Sequence, residues 1–195
     1  MIMSTNVVRA GGLAGIAAAV LFILSAIIEQ VAPAEGIVGT GSEYLDRVVV
    51  ILAYIAVIVA VLGIHALHKD NARYGALGTA GSVMTIAGYA IIAVVTVIAT
   101  IQDFEYLLTI RLGGGILVLI GSLLLGVIII RARLLPWWFA VLLIVAFPLG
   151  DVANAIFSSA ENLLLALLWG SVGFALLSRR RAIPQPPETQ SIRAG

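Results

Sequence analysis

Glu29, Arg111 and Asp151 are ionisable side chains set inside or at the edges of long apolar runs, in a chain with only 11% charged residues. An ionised group in hydrocarbon is costly, so each calls for a partner, a water-filled pocket or a functional role. Asn154 follows Asp151 by three residues and shares roughly its helical face. The four residues form a candidate polar site, a carboxylate and guanidinium constellation suited to an ion, a proton or a small polar ligand. A plainer structural reading outweighs this one: Glu29 lies at the interface, Arg111 snorkels to headgroups, and Asp151 sits shallow. Structural pairing is the other outcome, with Asp151 the first expected partner of Arg111 and Glu29 the second.

His65 and His68, also three apart, could share a face as metal ligands do. They are the only histidines, so two helices cannot supply axial ligands to a haem within one chain. An interfacial structural role is expected, with no metal ligands and no cofactor. The sequence contains no HExxH, GxSxG or GxGxxG pattern, so no catalytic residue is assigned and the expectation leans away from an enzyme. The absence of cysteine also excludes disulfides, thiolate metal sites and cysteine nucleophiles.

The elements that must position these groups follow from composition. With 62% hydrophobic residues and a mean hydropathy of +1.14, the chain lies outside the soluble globular range. Its net charge of +1 argues against nucleic acid as a partner. A helix needs about 20 apolar residues to cross hydrocarbon. Runs near 11–30, 48–67, 76–101, 107–130, 137–157 and 162–178 predict an all-α membrane protein, a six-transmembrane-helix bundle occupying residues 1–181. Continuous apolarity disfavours a β-barrel, whose strands would alternate apolar and polar residues. On the alternation of loops, nine of the eleven Lys and Arg residues fall on one side, leaving Arg47 and Arg111 towards the other. The positive-inside rule then places both termini in the cytoplasm.

Punctuation refines this frame. Ala32-Pro33-Ala34 resembles a signal-peptidase site, but the preceding apolar run is longer than a typical signal core, so an uncleaved first helix is expected. Residues 182–195 carry Pro184, Pro186 and Pro187 among polar neighbours and predict a disordered cytoplasmic tail. Gly78, Ser82, Thr85 and Gly88, and likewise Ser122 and Gly126, predict intramolecular seams. Gly113-Gly114-Gly115 predicts a helix break or a close crossing, Pro148 a kink, and Trp137-Trp138 an interfacial anchor. Arg9-Ala10-Gly11-Gly12 and Arg111-Leu112-Gly113-Gly114 share a pattern that would suit an inverted repeat, although glycine-rich helices produce such matches readily.

Arg9-Ala10-Gly11-Gly12, Gly63-Ile64-His65-Ala66-Leu67, Arg73-Tyr74-Gly75-Ala76-Leu77-Gly78, Arg131-Ala132-Arg133-Leu134-Leu135-Pro136-Trp137 and Leu176-Leu177-Ser178-Arg179-Arg180 carry a resemblance. Through them the chain resembles a broad group of uncharacterised small multi-pass bacterial integral membrane proteins, common in actinobacteria. The resemblance implies a bacterial cytoplasmic membrane and six helices, and supplies no activity, cofactor or site residue. The function expected is that of a noncatalytic interaction or accessory protein, for which a lipid-accessible pocket is possible. Membrane lipids are its expected partners, with a protein partner or homo-oligomer also open. Two alternatives stand beside it: a small oligomeric transporter or channel with an outer-leaflet polar site, and a membrane enzyme acting on lipid.

Overall fold

A computed structural model describes residues 2–31, 41–69, 71, 73–101, 106–133, 135–154, 157 and 159–179, with the side chains of 2–5, 101, 106, 132, 151, 154 and 179 outside the description. The Ala32-Pro33-Ala34 segment and the 182–195 tail lie outside the described residues. Among those described, the chain is all-helical: α1 (Ile2–Val31), α2 (Gly41–His68), α3 (Gly75–Ile101), α4 (Tyr106–Ala132), α5 (Trp137–Asn154) and α6 (Ala160–Arg179). Five of them, all but α5, are long and apolar enough to cross a membrane. The first helix begins at Ile2, well before the apolar run at Gly11, because the polar residues between them are compatible with helix. The fifth is described over Trp137–Asn154, and its apolar stretch covers Trp137–Gly150.

Apolar surroundings offer the backbone no alternative partner, which is why continuous apolar runs become continuous helices. Hydroxyls inside them turn back on their own helix: Thr85 donates to the Gly81 carbonyl, Thr96 to Ile92 and Thr100 to Thr96. Helix α4 runs unbroken through its three glycines, and α5 continues through Pro148. At the end of α4, Arg133 takes a left-handed conformation (φ 50°), which stops the helix before Pro136.

The helices pack as an antiparallel ring in which each touches its sequence neighbours and α6 closes back onto α1. The packing is uneven. Helix α1 lies tightly against both α2 and α6, and α3 lies tightly against α4, while α2–α3, α4–α5 and α5–α6 touch less. Small residues explain the tight pairs, since they allow backbones to approach. A Cβ on Gly63 would lie 2.7 Å from the Gly11 Cα, and one on Gly173 would lie 2.7 Å from the Gly12 carbonyl oxygen. Gly88 faces the backbone of Gly114 and Val118 in the same way, so Gly114 of the α4 glycine triplet lies at a close crossing. Thr85 and Gly88 lie on this seam, whereas Gly78 and Ser82 face Tyr74. The α1–α2 and α4–α5 pairs, which an inverted repeat would make equivalent, differ: one is tight and the other loose.

Large apolar side chains occupy both faces of the ring. Phe22, Tyr54, Tyr89 and Trp169 are buried inside, while Val20, Leu52, Val83, Leu112, Ile116 and Phe174 are exposed outside. Helices apolar all round belong in a bilayer, and the molecule has the character of a multi-pass membrane protein.

Candidate functional site

The beginnings of α2, α4 and α6 and the ends of α1, α3 and α5 share one end of the ring, here the cavity end. The start of α1 and the finish of α6 share the other, the basal end. At the cavity end a polar cavity of about 350 Å³ opens between the helices. Glu29 of α1, Glu43, Asp46, Arg47 and Tyr54 of α2, Thr96 and Ala99 of α3, Arg111 of α4, and Glu161 and Asn162 of α6 line it.

Polar side chains do at this end what glycine does elsewhere. Asn162 Nδ2 donates to Ser25 Oγ at 3.1 Å, and Ser25 Oγ donates to Asp46 Oδ1 at 2.6 Å, linking α6, α1 and α2 in one chain of hydrogen bonds. Ser25 is fully buried at the centre of that chain. Glu29 stands beside Asp46 and Asn162. Arg47 donates to Glu43 one turn earlier and to the Ala99 carbonyl oxygen, which ties α2 to α3 where their apolar packing is sparse. Gly150 of α5 leaves room for α6 at Glu161: a Cβ there would lie 2.9 Å from the Glu161 Cγ.

A second cavity of about 380 Å³ adjoins the first and shares Tyr54, Arg111 and Glu161 with it. The rest of its wall is apolar: Ile92, Leu108, Leu112, Gly115, Ile116, Leu119, Phe147 and Pro148. Leu108, Leu112 and Ile116 are also exposed on the outer surface, so this space borders the lateral face of the bundle along α4.

Tyr54, in the wall of both cavities, belongs to a layer of four aromatic rings. Phe22, Tyr54, Tyr89 and Trp169 lie about two helical turns, on the order of 11 Å, further along their helices than Glu29, Asp46, Thr96 and Glu161. Their rings are in mutual contact: Phe22–Tyr54 at 6.0 Å, Tyr54–Tyr89 at 5.6 Å and Tyr89–Trp169 at 6.1 Å between centroids. All four are buried. Chemically, the arrangement is a charged vestibule that shares Tyr54 with an apolar side chamber.

Of the residues singled out from sequence, Glu29 and Arg111 line this one cavity, without closing to ion-pair distance. Among the described residues the ion pair that forms is Arg47–Glu43. Asp151 and Asn154 occupy the last turn of α5, and their side chains lie outside the described residues. Sequence reasoning missed Glu43, Asp46, Arg47, Glu161 and Asn162 as cavity residues. Their signal was spacing: Glu43, Asp46 and Arg47 fall at i, i+3 and i+4, which gathers them on one helical face.

His65 and His68 stand at the basal end, remote from the cavity. His68 is buried; its Nδ1 donates to the Ile64 carbonyl at 2.8 Å, and its ring stacks on Tyr74 at 5.9 Å. The Tyr74 hydroxyl lies 2.6 Å from Ser82 Oγ and 3.5 Å from His65 Nδ1. Burial pushes the Tyr74 hydroxyl above the usual tyrosine range, so it stays protonated and knits the α2–α3 connection.

No family model, curated protein or solved structure matches the chain. Geometry alone carries the functional reading.

Proposed function

We propose that this protein is a noncatalytic accessory protein of a bacterial cytoplasmic membrane, of the small multi-pass kind it resembles, and that it binds one bilayer amphiphile. The polar head enters the charged cavity and a hydrocarbon chain lies in the apolar chamber beside α4 and α5. The observation that supports this reading is the junction: Tyr54, Arg111 and Glu161 belong to both cavities, so one ligand can touch charge and hydrocarbon together. Amphiphile sites need that combination of a mostly apolar wall and a few placed polar groups. A transport path through the same polar residues is less well supported, because the aromatic layer closes the centre of the ring below them.

In this reading α5 is the sixth span. Its 18 residues rise about 27 Å, close to the hydrocarbon thickness. Exposed Arg9, Lys69, Arg73, Arg131 and Arg133 gather at the basal end, which faces the cytoplasm under the positive-inside rule and turns the cavity outward. The cysteine-free background permits a direct test of topology. An impermeant thiol reagent applied to intact cells is expected to label Gly41→Cys and spare Lys69→Cys; the reverse pattern would invert the orientation. For binding, a phospholipid carrying a photoactivatable acyl chain is expected to crosslink peptides of α4 and α5 around Leu112 and Phe147. Labelling spread evenly over all helices, as annular lipid gives, would overturn the proposal.

A further inference from the structure

Resting on the amphiphile reading, we infer that the head this site takes is zwitterionic: an aminophospholipid, with its ammonium group on Glu29 and Asp46 and its phosphate on Arg111.

The inference comes from the order of charges along the joined cavities. Arg47 is already engaged by Glu43 and the Ala99 carbonyl, so it offers little to a ligand. Glu29 and Asp46 line the same cavity from different helices and repel one another, and among the described residues neither is in an ion pair. Asp46 accepts from Ser25, a neutral donor, and its charge is offset only in part by Arg47, whose guanidinium is held by Glu43 and the Ala99 carbonyl. Two neighbouring carboxylates in a partly buried pocket favour an incoming cation, because their repulsion and desolvation are both relieved by it.

Arg111 supplies the opposite charge at a different place, where the polar cavity meets the apolar chamber, a junction it shares with Tyr54 and Glu161. A guanidinium there suits a phosphate, which it can hold through two parallel hydrogen bonds. Beyond Arg111 the wall becomes Leu108, Leu112, Ile116 and Phe147. Read from the acidic pair outward, carboxylates come first, then Arg111 with Glu161 at the junction, then an apolar wall. An aminophospholipid presents the complementary sequence of ammonium, phosphate and acyl chain. A phospholipid with an uncharged glycerol head would satisfy Arg111 and leave the two carboxylates facing each other.

The test uses the full-length protein in nanodiscs of equimolar dioleoyl phosphatidylethanolamine and dioleoyl phosphatidylglycerol, with the lipid retained after release read by native mass spectrometry. Retention of the ethanolamine lipid over the glycerol lipid by about tenfold is expected. Glu29→Gln combined with Asp46→Asn is expected to abolish the preference while the protein still carries lipid, and Arg111→Gln to reduce retention of both lipids. Equal retention of the two lipids by the unmodified protein, or preference for the glycerol lipid, would overturn the zwitterion inference and leave the amphiphile reading standing. Retention of no lipid would overturn both. The comparison within the unmodified protein decides the matter even if a variant fails to fold, and a preference that survives the double carboxamide change would also refute the assignment.

Discussion

The two ends of this bundle are held together by different means. Towards the basal end α1, α2 and α6 meet through glycine: Gly11 against Gly63, and Gly12 and Gly15 against Gly173. At the cavity end the same three helices are joined by Asn162, Ser25 and Asp46 through side-chain hydrogen bonds. Glycine contact brings backbones together and leaves no volume between them, whereas a side-chain bridge spans a gap and keeps it open. The cavity therefore lies where polar linkers replace glycine, and the difference between the ends is itself the site.

The largest effect expected from breaking this contrast is at the glycine seam. Gly173→Ala places a Cβ 2.7 Å from both the Gly12 carbonyl oxygen and the Ile16 nitrogen, backbone atoms that cannot turn aside. Overpacking of this kind costs about 1–3 kcal/mol, measurable as reduced resistance to unfolding in bicelles. Unchanged stability would mean that α1 and α6 are not in backbone contact. At the other end, Ser25→Ala removes the bridge between Asn162 and Asp46 and leaves a carboxylate short of a donor. Its expected cost is about 1–2 kcal/mol in the same assay, and combining it with Asp46→Ala should add less than the sum of the two single changes. Arg47→Met is expected to cost only about 1 kcal/mol, because the pair with Glu43 is partly exposed. Smallest of all is Gly113→Ala, which meets nothing within 4 Å; the same unfolding assay should show a gain of roughly 0.5 kcal/mol from helix propensity.

Sequence located the helices of both halves and pointed to the α3–α4 seam at Thr85 and Gly88, but to neither the Gly11–Gly63 nor the Gly12–Gly173 contact. Apolar run lengths located the helices, and small residues at helical spacing pointed to seams, because both signals are local and periodic. Gly88 and Thr85 could be placed that way, yet Gly81, one turn before Thr85 and packed against Gly121 and Leu125, was passed over for Gly78 and Ser82, which face Tyr74. Glu29 and Arg111 stood out as charges near apolar runs. Asp46, Arg47 and Glu161 gave no such signal, since a charge at a helix end costs little whether it faces headgroups or a cavity. Which of these it faces depends on the rotation of each helix and on ring closure by α6 against α1. Neither is encoded within a single run.

Filling the apolar chamber tests amphiphile binding most directly. Gly115 lines that chamber, and a Cβ there would approach only the far end of the Phe147 ring, at 3.4 Å. Gly115→Leu should therefore occupy the space of the hydrocarbon chain while leaving the fold intact. Native mass spectrometry of protein released from bilayers is expected to show one retained phospholipid on the unmodified protein and none on Gly115→Leu, at equal thermal stability. Equal lipid retention by both proteins would contradict binding at this site.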